Sequence, residues 1–147
     1  MAATFVKIND FVEQLGLAVH NLNTAELDIA LNRSDADGGA GAAVTATDTI
    51  LADIVQPTGT GYAAADSQNT WSENPAGTGE LIGTATVFTA GGTWQSFKNA
   101  VLFNQTAAGD NLICYWAYAS DLILLTGETF TVKYSSSGTT GIIFTIT

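Results

Sequence analysis

Two hydrophobic rhythms divide the chain. Near the N-terminus Ile8, Phe11, Val12, Leu15, Ala18, Val19 and Leu22 recur at spacings of three and four, which gathers them on one face of a helix. The spacing predicts an amphipathic helix over about residues 7–22, with Asn9 or Asp10 at its start and Glu13 in capping-box position after Asp10. Gly16 interrupts it at a cost of about 1 kcal/mol relative to Ala, so the apolar stripe needs a packing partner. The chain's own sheet is the simpler one, since Gly16 and Ala18 allow close approach.

From Glu26 onward the period falls to two. Leu27, Ile29 and Leu31 alternate with Asp28 and Ala30, a half-buried strand. Ser34 to Ala43, rich in Asp, Gly and Ala, reads as a flexible loop. Asp48 to Val55 reads as a helical turn carrying Ile50, Leu51 and Ile54 inward, stopped at Pro57. A weak strand near Tyr62 and then a long loop to Gly79 are expected. Further strands are expected near 80–90, 97–104, 111–118, 128–134 and 141–147, with a short one at Leu122–Leu125. Phe130, Val132 and Tyr134 on one segment and Ile142, Phe144 and Ile146 on another predict a hairpin pair with one solvated face. Leu112 to Tyr118 is apolar on both faces, which suits a central strand.

These elements predict a mainly β chain: an antiparallel, jelly-roll-like β-sandwich of seven or eight strands with an N-terminal amphipathic helix. No repeat or boundary divides it, so residues 1–147 are expected to form one domain, the sandwich spanning about 26–147.

Charge sharpens this picture. Only 12% of residues are charged, fourteen acidic against four basic, for a net charge of −10. Lys7, Arg33, Lys98 and Lys133 are scattered, so no footprint for nucleic-acid phosphates is formed. No run approaches the ~18 apolar residues of a membrane span, and Met1 to Asp10 lacks a leader pattern. A soluble product of a cytoplasm is expected. The surface is instead dressed with neutral residues, including 21 Thr and 15 Gly. Strands this poor in Lys lack the usual protection against edge-to-edge pairing. Neighbouring subunits that cover those edges would supply it.

Candidate chemistry is sparse. His20 is the one histidine, expected partly exposed near the helix end. Cys114, the one cysteine, sits in an apolar strand and reads as a buried, inert thiol. Neither a catalytic triad nor a zinc site can be built from these. Asp35 and Asp37 before Gly38 invite a calcium test, but Ala46 stands where an EF-hand places its bidentate Glu. Gly77 to Gly83 has the glycines of a phosphate loop without its Lys or following helix. Asn32-Arg-Ser and Asn104-Gln-Thr are glycosylation triplets of chance frequency. Trp71 and Trp94 adjoin loops and are candidates for ligand or subunit contact. The chain is therefore expected to be no enzyme and to hold no cofactor or metal, with Phe11, Leu15, Val19, Trp71 and Trp94 as candidate assembly contacts.

One resemblance adds to this. Phe5 to Leu22, with Asp10-Phe11-Val12 and Val19-His20-Asn21-Leu22, leads into Leu27–Asn32. Phe97–Asn104, Leu112–Tyr118, Leu125–Val132 and Gly141–Phe144 follow. The pattern resembles small virion structural proteins of tailed bacteriophages, most of all capsid decoration (cement) proteins. The resemblance implies a homotrimer made in the host cytoplasm that binds the major capsid protein on the outer face of the virion head. A tail component, either a tube subunit or a glycan-binding adhesin using Trp71 and Trp94, is the alternative it leaves open. Residues 56–79 have no counterpart in it.

Overall fold

A computed structural model describes residues 3–33, 43–74, 77–134 and 138–147. The expected loop at Ser34–Ala43, with its calcium motif, lies almost wholly outside the described residues. The architecture is mainly β, an antiparallel β-sandwich.

Ten strands are described: β1 (Thr4–Lys7), β2 (Leu27–Arg33), β3 (Ala65–Asp66), β4 (Thr70–Glu73), β5 (Gly79–Thr84), β6 (Thr86–Thr89), β7 (Phe97–Asn104), β8 (Asn111–Leu122), β9 (Thr129–Val132) and β10 (Thr140–Ile146). One sheet has the order β1-β8-β7-β2-β3; facing it are the sheets β10-β5-β4 and β6-β9. Aromatic side chains bridge the layers. Phe97 meets Phe130 at 5.1 Å between ring centroids, Trp116 meets Tyr134 at 5.7 Å and Phe11 meets Phe144 at 5.5 Å. The buried apolar residues form one contiguous cluster, led by Phe97, Leu27, Ile29, Leu31, Leu102 and Ile113. As its two apolar faces require, β8 lies between β1 and β7.

Several elements depart from the sequence pattern. Helix α1 spans only Phe11–Gly16, inside the expected 7–22. Thr4–Lys7 is taken into the sheet beside β8, and the Ile8 N–H extends that pairing to the Ile113 carbonyl at 3.0 Å. The helix ends at Gly16, and two residues on Ala18 adopts a left-handed backbone, φ 59°, that prevents its continuation. Ile8, Phe11 and Leu22 are all buried, but from a strand end, a helix and a loop. Asp10 makes no side-chain cap; its carboxylate accepts from Gln14 Nε2 at 2.9 Å.

The expected hairpin between the 128–134 and 141–147 segments does not form. Both strands pair with one segment, 79–89: β10 beside β5, and β9 beside β6. Alternation dictates the face a side chain takes, not the strand lying alongside. No strand forms at Tyr62 either. Its ring packs beside Phe88 and Trp94, and its hydroxyl accepts from the Leu31 N–H at 2.9 Å. The long loop expected up to Gly79 contains β3 and β4, whose Ala, Asp, Ser and Glu carry little strand signal.

Buried amides tie the long connections down. Asn32 Oδ1 accepts from the Val44 N–H at 3.0 Å and from Asn99 Nδ2 at 2.9 Å. Asn104 Nδ2 donates to the Val19 carbonyl at 3.0 Å, and its Oδ1 accepts from the N–H groups of Thr106 and Ala107. Both asparagines are fully buried, so neither glycosylation triplet presents its acceptor at the surface.

Candidate assembly surface

The sandwich is open along one side. There β1 ends the five-stranded sheet and β10 ends the three-stranded one, and each pairs on one flank only among the described residues. Phe5 and Lys7 stand opposite Trp116 and Cys114 in the β1–β8 register; Phe144 and Ile146 stand opposite Leu81 and Gly79 in the β10–β5 register. Together with α1 these edges frame an apolar groove of about 410 Å³. Phe5, Phe11, Val12, Leu15, Phe144 and Ile146 line it, with Ile113 and Cys114 also in its wall. Lys7 is the only charged side chain in the lining.

Three of these apolar residues keep much of their surface in water: Phe5 is 43% exposed, Val12 57% and Ile146 39%. Such side chains, clustered beside open strand edges, make the groove the candidate contact surface. The edge strand β10, Thr-Gly-Ile-Ile-Phe-Thr-Ile, carries no charge and no proline. Its one protective device is a register shift between Ile142 and Phe144, which turns Ile143 into the core.

Of the five candidate contact residues, two line this groove. Leu15 lies in its wall, half-buried, and Phe11 forms part of it from within the core. Val19 is half-buried beyond α1 and lies outside the lining. Trp71 is half-buried, its ring laid over Gly79 so closely that a Cβ there would overlap it. Trp94 is 2% exposed, enclosed by Tyr62 and Phe88, and its Nε1 donates to the Thr60 carbonyl at 2.9 Å. The expected aromatic pair for ligand contact therefore has one member inside the core. Phe5, Val12 and Ile146 escaped notice in the sequence because each sits at a regular apolar position of its element. Only the strand order makes them a surface.

The reactive side chains lie elsewhere or are inert. Cys114 is fully buried, and burial pushes its thiol pKa well up. Among the described residues no three metal-ligating side chains gather, and no helix is long and apolar enough to cross a membrane. Gly79–Thr84 is itself a strand, so the glycines of the 77–83 motif fall largely within a sheet and not in a loop before a helix.

His20 is 3% exposed, not partly exposed as its position at the helix end predicts. The early stop of α1 folds it under Phe11, 5.4 Å between rings. Its Nδ1 lies 3.2 Å from Asn104 Nδ2, which donates, so the proton of the neutral ring sits on Nε2. Burial lowers its pKa to about 4, against the pull of Asp10. A lowered histidine pKa contributes stability that is complete above about 6.5 and lost as pH falls towards 4.

Asp28 has the opposite sign. It is buried on β2, directly opposite Asp66, and burial raises its pKa to about 6, with Glu26, Asp66 and Asp110 adding to the rise. Its contribution is complete below about 3.8 and lost as pH rises through 6. Each effect is at most about 3 kcal/mol and falls to about 2 kcal/mol once solvent screening is counted, so the two offset each other across the same window. Urea titrations from pH 4 to pH 7 are expected to show this offset. Asp28→Asn should steepen the acid loss and add about 2 kcal/mol at neutral pH. His20→Gln should leave stability falling as pH rises. A wild-type curve as steep as that of Asp28→Asn would contradict the offset.

No protein-family model, curated protein or solved structure matches the chain.

Proposed function

We propose that the chain is a non-enzymatic structural subunit of a tailed-phage virion, a decoration protein that docks as a homotrimer on the major capsid protein at the outer face of the head. The observation that carries the structural-subunit reading is the open side of the sandwich. A molecule of net charge −10 keeps one apolar groove free of acidic side chains, between two strand edges left unpaired on their outer flanks among the described residues. Charge-depleted apolar patches with polar surroundings form the centres of protein contacts. Burying the exposed part of Phe5, Val12 and Ile146, roughly half of each side chain, would contribute about 1 kcal/mol each before the costs of association.

The head, rather than another assembly, comes from the resemblance of the hydrophobic pattern to decoration proteins. An acidic subunit also suits the outside of a shell whose interior holds DNA. Binding only to the finished lattice would stabilise the shell by mass action. The adhesin alternative is weakened by the burial of Trp94.

The test is co-sedimentation of the purified protein with undecorated mature heads of the virus that encodes it. Saturable binding at about 1 µM or below and a raised temperature of head disruption are expected. Absence of binding at that concentration would remove the decoration reading.

A further inference from the structure

Among the described residues the three-stranded sheet β10-β5-β4 has two free edges, and the groove lies at only one of them. We propose that the occupant of the open side is a second copy of the chain, its β4 edge laid along the β10 edge of its neighbour, so that the sheets continue head to tail around a closed ring. The proposal deepens the reading of the chain as a self-assembling subunit and rests on it.

Strand direction permits the contact. Both β4 and β10 run antiparallel to β5, so they run parallel to each other. A rotation axis along the strands therefore brings β4 of one copy beside β10 of the next as a parallel pair. Such head-to-tail contacts close into rings when the rotation between copies divides a full turn.

Register and charge agree with it. Gly79 on β5 stands opposite Ile146 on one flank and Glu73 on the other, so these residues share one level across the sheet. Flush pairing of neighbouring sheets sets Glu73 of the incoming copy at the level of Ile146. Ile146 shares its groove with Lys7, the one charged side chain in the lining, and Glu73 is the one charged side chain on β4. The pair is of opposite sign. Glu73 Oε1 accepts from the Gly77 N–H at 2.6 Å within its own turn, which leaves Oε2 for the neighbour.

The alternative contact, β10 against β10 about a two-fold axis, matches no opposite charges and leaves both β4 edges bare. Two molecules of net charge −10 associate best where carboxylates are absent or matched. The β4-to-β10 contact meets that condition on both sides.

Sedimentation equilibrium of the full chain and its charge variants tests the contact. The wild type is expected as a closed oligomer, three copies under the reading above, at up to about 100 µM. Lys7→Glu and Glu73→Lys should each weaken association at least about tenfold, and the double variant should restore it. Glu73→Gln keeps the turn acceptor and should weaken association less. Thermal melts at low concentration, unchanged for Lys7→Glu, show that loss of the oligomer is not loss of the fold.

A wild type that stays monomeric overturns the proposal. So does an oligomer indifferent to the single reversals, or a double variant no better than either single. A monomer that still binds heads overturns this contact and leaves the decoration reading standing. A charge-swap rescue without head binding supports the contact and removes the head reading alone.

Discussion

Trp94→Ala is expected to destabilise the fold by about 3–5 kcal/mol, the usual cost of truncating a buried Trp. For a chain of this length that lowers the melting temperature by roughly 10 °C or more. The ring is the hub of an aromatic group with Tyr62 at 5.3 Å and Phe88 at 6.5 Å. Gly59 passes so close that a Cβ on it would overlap the indole. Truncation leaves a cavity there and strands the Thr60 carbonyl that Nε1 now satisfies. The loss falls on the connection between β2 and β3, because Tyr62 ties that segment to Leu31 and to Gln56 Oε1 at 2.8 Å. Trp94→Phe keeps a ring and is expected to cost less. Chemical denaturation of the two variants separates these outcomes. A loss below about 1 kcal/mol for the Ala variant would place Trp94 outside the core energetics.

How far the sequence foretold this fold depends on the element. β7 and β8 were legible because they are long, strongly apolar and bounded by turn residues; β2 was found as a strand, but it is buried on both faces and not half-buried, since Asp28, Ala30 and Asn32 are buried as well. β7 in particular spans Phe97–Asn104, matching the expected 97–104. The N-terminal stripe misled because Ile8, Phe11 and Leu22 satisfy a helical spacing while being buried by three different elements. Thr4–Lys7 is too short to announce itself, and its Thr, Phe and Val become a strand only through pairing with β8. The hairpin between β9 and β10 failed for a related reason. Period two reports a strand's faces, and the neighbour is chosen by long-range packing that local pattern does not encode.

The assembly surface was half legible. Low charge and unguarded Thr-rich strands predicted that some edge needs covering, without saying which. Leu15, one of the candidate contacts, lines the groove, whereas Trp94 went to the core, where its Nε1–H satisfies a buried carbonyl. Lys7 drew no attention as one of four scattered cations. It gains meaning only because β1 and β10, at opposite ends of the chain, border one groove.

The central claim is that assembly covers the open side between β1 and β10. It carries the other large expected effect, in hydrogen exchange. Among the described residues the outward amides of these edge strands have no strand partner on their free flank, and edge amides of that kind exchange near the rate of open chain. Once a neighbour pairs with β10 or closes over the groove, their exchange should slow by roughly two orders of magnitude or more. Amides of β7, already flanked by β2 and β8, should change little and serve as the internal standard. Exposed Val87 on β6 marks a second control surface, away from the groove.

The decisive measurement is hydrogen exchange on the dilute free chain and on the same chain bound to heads. The account predicts slowing concentrated at Phe5–Lys7 and Phe144–Ile146, with the outer amides of Thr70–Glu73 slowed too where β4 pairs with a neighbour. Unchanged exchange there, with protection appearing instead around Val87 or nowhere, would contradict it.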